Sequence, residues 1–355
     1  MKKVLYISNI EVPYRVRFFN ELAKYCDLTV LYEREKSTTR NATWAKSEES
    51  RYAMKYLHGI NIGGENAFSL KILKEITKNY DVIIVGCYNS PVQMMAILAM
   101  RLMGISYFVN LDGEVFISNN GLKSWLKRFF LTGADCYLVA GEKAAQSLGN
   151  ILEEKKIVPY FFSSLSQEEI RNHKSLAQKT NRNDIILVVG QYFDYKGMDV
   201  ALDAARLDSS LRYKFVGMGT RTELFVKEHD IPENVEIIPF LQKEDLEKEY
   251  RNCAMLVLPS RQECWGLVIN EAASFGTPIV STWGSGAAVE FLADKYPQFL
   301  AEPGDANSLY QCIRILLDSN DLDAYGTYLL EKSKSYTIEQ SSKIHTNVIN
   351  SVRSE

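Results

Sequence analysis

Short, nearly continuous apolar runs alternate along this chain with stretches whose apolar residues recur at helical spacing. In the first half the runs are KVLYISN, DLTVLYE, DVIIVGC, SYFVNLDG and ADCYLVAG, and RVRFFNELAKY, SLKILKEITKNY and residues 92–103 carry the helical pattern between them. Strands that are apolar at nearly every position are covered on both faces, so the pattern predicts a doubly wound α/β domain with a parallel sheet. Functional side chains in such a fold gather beyond the carboxyl ends of the strands. The rhythm lapses at PYFFSSLSQEEIRNHKSLAQKTNRND and resumes with IILVVGQ, YKFVGMG, VEIIPF, AMLVLPS and PIVST. A second α/β domain is therefore expected, with a boundary near residues 163–183. The expected domains are residues 1–168 and 181–335. Residues 336–355 form a terminal helix, regular from Ile338 onward, which packs on the first domain or stays with the second. Two such domains would leave a deep cleft between their carboxyl-end loops.

A length of 355 residues, 46% hydrophobic and 24% charged, suits two soluble domains. The opening MKKVLYISN has too short an apolar run for a secretory signal. The greasiest segment, PVQMMAILAMRLMG, falls short of the roughly 20 apolar residues that span a bilayer and reads as a buried helix. Six cysteines without a CxxC pair, and four scattered histidines, suggest neither a disulfide framework nor a zinc site. A cytoplasmic location is the expectation, and the histidines read as satisfied surface residues. The first 165 residues carry 21 Lys and Arg against 16 Asp and Glu, although the whole chain is net −3. A basic half on an acidic half argues against a nucleic-acid partner but allows one face to meet an anionic surface.

The candidate chemistry lies mostly in the second half. In VVGQYFDYKG, Gly190 ends a strand and lets the backbone turn closely, and Lys196 stands before a helix where it can neutralise a phosphate. That spacing lacks the following Ser or Thr of a nucleotide-hydrolysing loop. In RQECWGLVINEAASFG, two acidic residues, Glu263 and Glu271, flank a glycine turn and the apolar run LVI. Buried carboxylates are costly unless they are paired or hydrogen-bonded, so the pair calls for partners. The helix is expected to begin near Gly266, with Glu271 two turns in, and Leu267, Val268 and Ile269 anchoring it to the sheet. Glu271 would accept hydrogen bonds from a ribose diol, Glu263 would reach a second polyhydroxylated group, and backbone donors at Trp265, Gly266 and Leu267 would face an anionic linkage between them.

This constellation resembles the large family of retaining glycosyltransferases called family four. Its members have the GT-B fold, two Rossmann-like domains facing each other across a cleft. ECWGLVINE carries the resemblance, supported by VVGQYFDYKG, FVGMG, GTPIVSTWGSGAAVEFL and FLAEPGDANSLYQCI. The resemblance covers most of the chain and is strongest at residues 184–317. It implies that Glu271 holds the ribose, Glu263 touches the donor sugar and Lys196 binds the diphosphate. Where the family has an arginine after the first glycine, this chain has Gln191, which removes one permanent charge from the diphosphate site.

In the first domain, SNIEVPYRVRFFNEL places Arg15 just beyond the first strand as an anion or acceptor contact, with Arg17 a solvated helix residue. In YFVNLDGEVF, Asp112 takes the approximate place of a histidine found in many relatives. It is a candidate catalytic residue, touching donor or acceptor, with Glu114 completing the turn. The stripe Leu122, Trp125, Leu126, Phe129 and Phe130, beside Lys123, Lys127 and Arg128, admits two readings. It packs into the first domain, or it rests as a peripheral contact on an anionic membrane. No Asp-x-Asp stands at a strand end, so no essential metal and no cofactor is expected.

The expected function is transfer of a sugar from a nucleotide diphosphate sugar, UDP being preferred, to a saccharide or polyprenyl-diphosphate-linked saccharide acceptor, in polysaccharide biosynthesis. The alternatives are a nucleotide-sugar epimerase, which would need acid and base groups about one sugar carbon, and a non-catalytic carbohydrate-binding or assembly protein. A dehydrogenase is disfavoured because ISNIEVPYR lacks the GxGxxG turn.

Overall fold

The computed structural model describes residues 1–34, 49–61, 67–113, 115, 121–152, 155–177 and 182–352, with the side chains of residues 61, 67, 122 and 123 outside the description. Glu114, expected to complete a turn, lies outside the described residues. The chain divides into two compact units, Met1–Ser164 with Ile338–Glu355, and Leu165–Thr337.

The first unit runs β1 (Lys3–Ile10), α1 (Pro13–Leu22), β2 (Asp27–Arg34), β3 (Ala53–Tyr56), β4 (Ile60–Asn61), β5 (Ala67–Phe68), α2 (Lys71–Ile76), β6 (Val82–Val85), α3 (Pro91–Met103), β7 (Phe108–Leu111), α4 (Leu122–Leu131), β8 (Cys136–Ala140), α5 (Glu142–Gly149) and β9 (Lys156–Tyr160). Seven strands form one parallel sheet in the order β3-β2-β1-β6-β7-β8-β9. Tyr6 of β1 is in register with Val30 of β2 and Ile84 of β6. The two edge strands escape the apolar pattern, because an edge needs only partial burial. β3 is half-exposed along AMKY, and β9 contains Pro159, which a sheet tolerates at its edge.

The second unit runs α6 (Gln167–Ala177), β10 (Ile185–Val189), α7 (Met198–Arg206), β11 (Arg212–Val216), α8 (Thr222–Glu228), β12 (Val235–Ile238), α9 (Lys243–Asn252), β13 (Met255–Leu258), α10 (Leu267–Ser274), β14 (Ile279–Thr282), α11 (Gly286–Leu292), β15 (Leu300–Ala301), α12 (Ala306–Leu317) and α13 (Leu322–Ser333). Its parallel sheet has the order β12-β11-β10-β13-β14-β15. α6 lies inside the stretch where the sequence rhythm lapses, and it belongs wholly to this unit.

The last helix, α14 (Ile338–Asn350), belongs to the first unit. It buries Ile338, Val348 and Ile349, and Phe18 of α1 meets the His345 ring edge-on at 4.8 Å. The expectation of surface histidines fails for two of the four: His345 and His173 are both buried. Helix α3 shows why it stops and starts where it does. Ser90 caps it by accepting from the Gln93 N–H at 3.1 Å, Pro91 opens it, and Gly104 closes it in the left-handed conformation. Only one face of α3, expected to be buried, is in the core; Leu98 and Met103 are exposed, and Leu102 is 79% exposed. On α4 Trp125 is 61% exposed and stacks on Phe129, whereas Phe130 packs against the core, so the apolar stripe is only partly absorbed. No described helix is long and apolar enough to cross a membrane.

Candidate functional site

In the second unit β10 has β11 on one side and β13 on the other, so the chain order reverses between β10 and β13. That reversal opens a crevice at the strands' carboxyl ends, where open α/β sheets bind ligands. The loops after β10, β13 and β14 are held together there by their backbones. The Arg261 and Gln262 N–H groups donate to the Tyr195 carbonyl at 2.9 and 3.1 Å, and the Glu263 N–H donates to the Gly284 carbonyl at 2.8 Å. Gly197 permits the closest approach: it has φ +67°, and a Cβ there would stand 2.1 Å from the Pro259 carbonyl oxygen. Gly190, expected to supply the close turn, does not; its φ is not positive, and an added Cβ would meet only the Met198 sulfur, at 3.5 Å.

This clamp decides where the candidate side chains go. Lys196 ends a single 3₁₀ turn, Asp194–Lys196, and its Nζ is ion-paired with Glu263 Oε2. Arg261, which no local sequence signal marks, bonds bidentately to Asp199 at 2.8 and 2.5 Å and donates to the Asp194 carbonyl at 2.8 Å. Burial alone would raise the Asp199 pKa, but these hydrogen bonds hold its carboxyl below the usual range. Arg261 thus fixes the turn that carries Lys196.

Helix α10 starts at Leu267 after Gly266, whose φ of +103° suits only glycine and which supplies no side-chain cap. The first N–H groups of a helix have no acceptor within it, so they are open to an anion. Glu271 sits four residues into the helix, about one turn and not the two expected. Its Oε2 accepts from the Tyr250 hydroxyl at 2.9 Å, and Tyr250 is buried. Of the expected anchors only Ile269 is fully buried; Leu267 and Val268 are intermediate. The Trp265 side chain is also buried, its Nε1 donating to Asn270 Oδ1 at 2.8 Å, so its indole is scaffold and only its backbone belongs to the turn. The site therefore offers one cation, two carboxylates and a helix start. Such a set can hold an anion beside hydroxyl-rich groups.

In the first unit Arg15 and Asp112 are brought together as an ion pair, with the guanidinium Nη2 on both carboxylate oxygens. Burial works against the charge on Arg15, yet the Asp112 carboxylate raises its pKa well above the ordinary value. The Arg15 side chain is 7% exposed and also lies 3.4 Å from the Tyr6 hydroxyl, so it serves an internal partner where an external anion contact was expected. Asp112 is 32% exposed and is the reachable member of the pair. Its Oδ1 also accepts from the Tyr160 hydroxyl at 3.0 Å and from Asn110 Nδ2 at 3.1 Å. Arg17, expected to be solvated, donates to the Ser164 carbonyl at 2.6 Å. Among the described residues no group of three or more His, Cys, Asp or Glu side chains could hold a metal ion.

Comparison with known proteins places this geometry in context. Residues 168–328 match the model of the family described as Glycosyl transferases group 1. The chain is 25% identical over 277 residues to an uncharacterised glycosyltransferase of Methanocaldococcus jannaschii, covering 76% of each protein. It is also 25% identical over 277 residues to O-antigen chain mannosyltransferase C of Escherichia coli, covering 73% of this chain and 72% of that one. Among solved structures, Anabaena HepE in complex with UDP and glucose superposes with a TM-score of 0.74 at 12% identity, covering 99% of this chain and 100% of that one. The two parallel-sheet α/β units have the GT-B fold, and the protein is an enzyme, a glycosyltransferase.

Proposed function

We propose that this glycosyltransferase moves a sugar from a nucleotide diphosphate sugar to an acceptor hydroxyl with retention of anomeric configuration, as a member of family four. The observation that carries the reading is the gathering of Lys196, Glu263 and the open start of α10 at the chain reversal between β10 and β13. Lys196 and the helix-start N–H groups hold the diphosphate and stabilise the charge that grows on it as the sugar departs. Glu271 holds the ribose, and Glu263 takes hydroxyls of the sugar being moved. No metal is essential, because Lys196 and backbone dipoles supply the positive field. Asp112 is the first unit's catalytic carboxylate, and the leaving diphosphate departs from the face the acceptor attacks, with no covalent sugar intermediate.

UDP is the preferred nucleotide, a choice in keeping with the UDP bound in HepE. The acceptor is a growing cell-surface saccharide, free or carried on a polyprenyl diphosphate, at the cytoplasmic face of the membrane. The name of the O-antigen mannosyltransferase supports that acceptor class. The exposed Leu98, Leu102, Met103 and Trp125, beside the exposed Lys127 and Arg128, support a peripheral contact with anionic lipid. A screen of UDP- and GDP-sugars against saccharide acceptors, read by mass spectrometry and by NMR of the new anomeric centre, tests the proposal. An inverted linkage would sink the retaining mechanism, and an epimerised donor without transfer would favour the epimerase.

A further inference from the structure

The terminal helix carries a histidine into the core of the first unit, and we propose that His345 is a positioning residue for Asp112, acting through the amide of Asn110. The inference rests on the catalytic reading of Asp112. Asn110 and Asp112 are two residues apart at the end of β7, so their side chains leave the same face of the sheet. Asn110 is wholly buried, and its Nδ2 lies 3.1 Å from Asp112 Oδ1 and 3.1 Å from the Tyr160 hydroxyl. Its Oδ1 faces His345 Nε2 at 2.7 Å.

An amide has a donor end and an acceptor end, and only one orientation serves a carboxylate. Turned the other way, Asn110 would aim its oxygen at the oxygen of Asp112. The orientation is held from the far side by whatever donates to Oδ1, and among the described residues that group is His345. The ring cannot swing away: it is 0% exposed and meets Phe18 and Tyr160 edge-on at 4.8 and 4.7 Å.

The proton has two claimants. His345 Nδ1 lies 2.7 Å from the Ser341 carbonyl one turn back, which takes the helix's own N–H as well. Burial lowers the ring's pKa to about 3, which disfavours a second proton. The charged groups around the cluster are Arg15 and Asp112, with Tyr6 and Tyr160 beside them. A single proton on Nε2 leaves the Nδ1 lone pair facing the Ser341 carbonyl oxygen, but a proton on Nδ1 would turn the Asn110 oxygen toward the Asp112 carboxylate. Repulsion from a full charge is the larger cost, so the proton belongs on Nε2. His345 thereby fixes the donor that Asp112 receives from its own strand.

The first test uses the intact protein without any ligand. Nitrogen-15 NMR of the His345 ring should show a proton on Nε2, and a ring protonated on Nδ1 alone overturns the proposal. The second test reads UDP release from UDP-glucose, UDP-galactose and UDP-N-acetylglucosamine, with the saccharide acceptors of the donor screen present to take the sugar and water as the alternative acceptor, in Asp112→Asn, His345→Leu, His345→Gln and Val348→Ala. Asp112→Asn and His345→Leu should each lower kcat by about tenfold or more, with donor KM changed by less than about twofold. His345→Gln, which can still donate to the amide, should recover most of that loss. Val348→Ala loosens the same helix without touching the cluster and should lower Tm while leaving kcat intact. Equal kcat losses in His345→Leu and Val348→Ala, or no rescue by glutamine, would reduce His345 to a packing residue. Normal turnover in Asp112→Asn would overturn the reading of Asp112 itself. If the wild type releases no UDP, the donor proposal fails and the ring NMR decides this one.

Discussion

Substituting Glu263 by Gln should tighten the binding of bare UDP while slowing sugar transfer. In the structure Lys196 is already ion-paired with Glu263, and both side chains are mostly buried, at 22% and 16% exposure. A diphosphate arriving at Lys196 must therefore displace a carboxylate of this protein. The gross attraction of such a pair is about 4 kcal/mol at an effective dielectric near 20. Desolvation and lost side-chain freedom leave a net worth of about 1 kcal/mol. Glu263→Gln removes the charged competitor and should return that amount, about a fivefold gain in UDP affinity. Lys196→Ala removes the cation itself and should cost about 1.5–3 kcal/mol, or roughly 10- to 150-fold. In the double variant the gain from Glu263→Gln should vanish, because nothing remains to be released. Calorimetry with UDP on all four proteins at one fixed ionic strength measures each step, since salt screens the exposed part of the site. Initial rates with donor and acceptor should meanwhile fall in Glu263→Gln. Unchanged or weaker UDP binding in that variant, or a gain that persists without Lys196, would refute the idea that the pair competes with the diphosphate.

Glu271→Gln should weaken UDP binding by about 1.5–3 kcal/mol, since the amide keeps one acceptor oxygen where the carboxylate had two; wild-type affinity by calorimetry would remove Glu271 from the nucleotide site. Gly197→Ala should destabilise the fold by about 2–4 kcal/mol, given its positive φ and the 2.1 Å approach to Pro259, whereas Gly190→Ala should be tolerated; equal unfolding midpoints would contradict the clamp geometry. Exhaustive chelation should leave turnover nearly unchanged, and a hundredfold loss restored by magnesium or manganese would sink the metal-free proposal. His173 is pushed down to about 4 by burial, so between pH 6.5 and 4 the unfolded chain binds its proton and the folded chain does not. The stability it contributes is whole above pH 6.5 and is lost as pH falls towards 4; His173→Gln should flatten the fall of Tm across that window.

The strands buried on both faces and the two α/β units were legible because burial on both faces writes itself into consecutive residues, as in VIIV of β6 and IILVV of β10. Glu263, Gly266 and Glu271 could be singled out as candidates for a similar reason: they lie within one short stretch, so their spacing is set before folding. Edge strands β3 and β9 and helix α6 were not, because partly exposed elements keep a mixed pattern. Local sequence also could not tell which glycine bears a close approach; Gly197 does because Pro259, far along the chain, packs against it. Tertiary structure alone paired Lys196 with Glu263 across 67 positions, Arg15 with Asp112 across 97, and His345 with Asn110 across 235. Those partners are chosen by which strand ends and helices the topology sets side by side. A histidine near the end of the chain becomes a buried hydrogen-bonding group only because α14 folds back onto α1 and lays its ring against the end of β7.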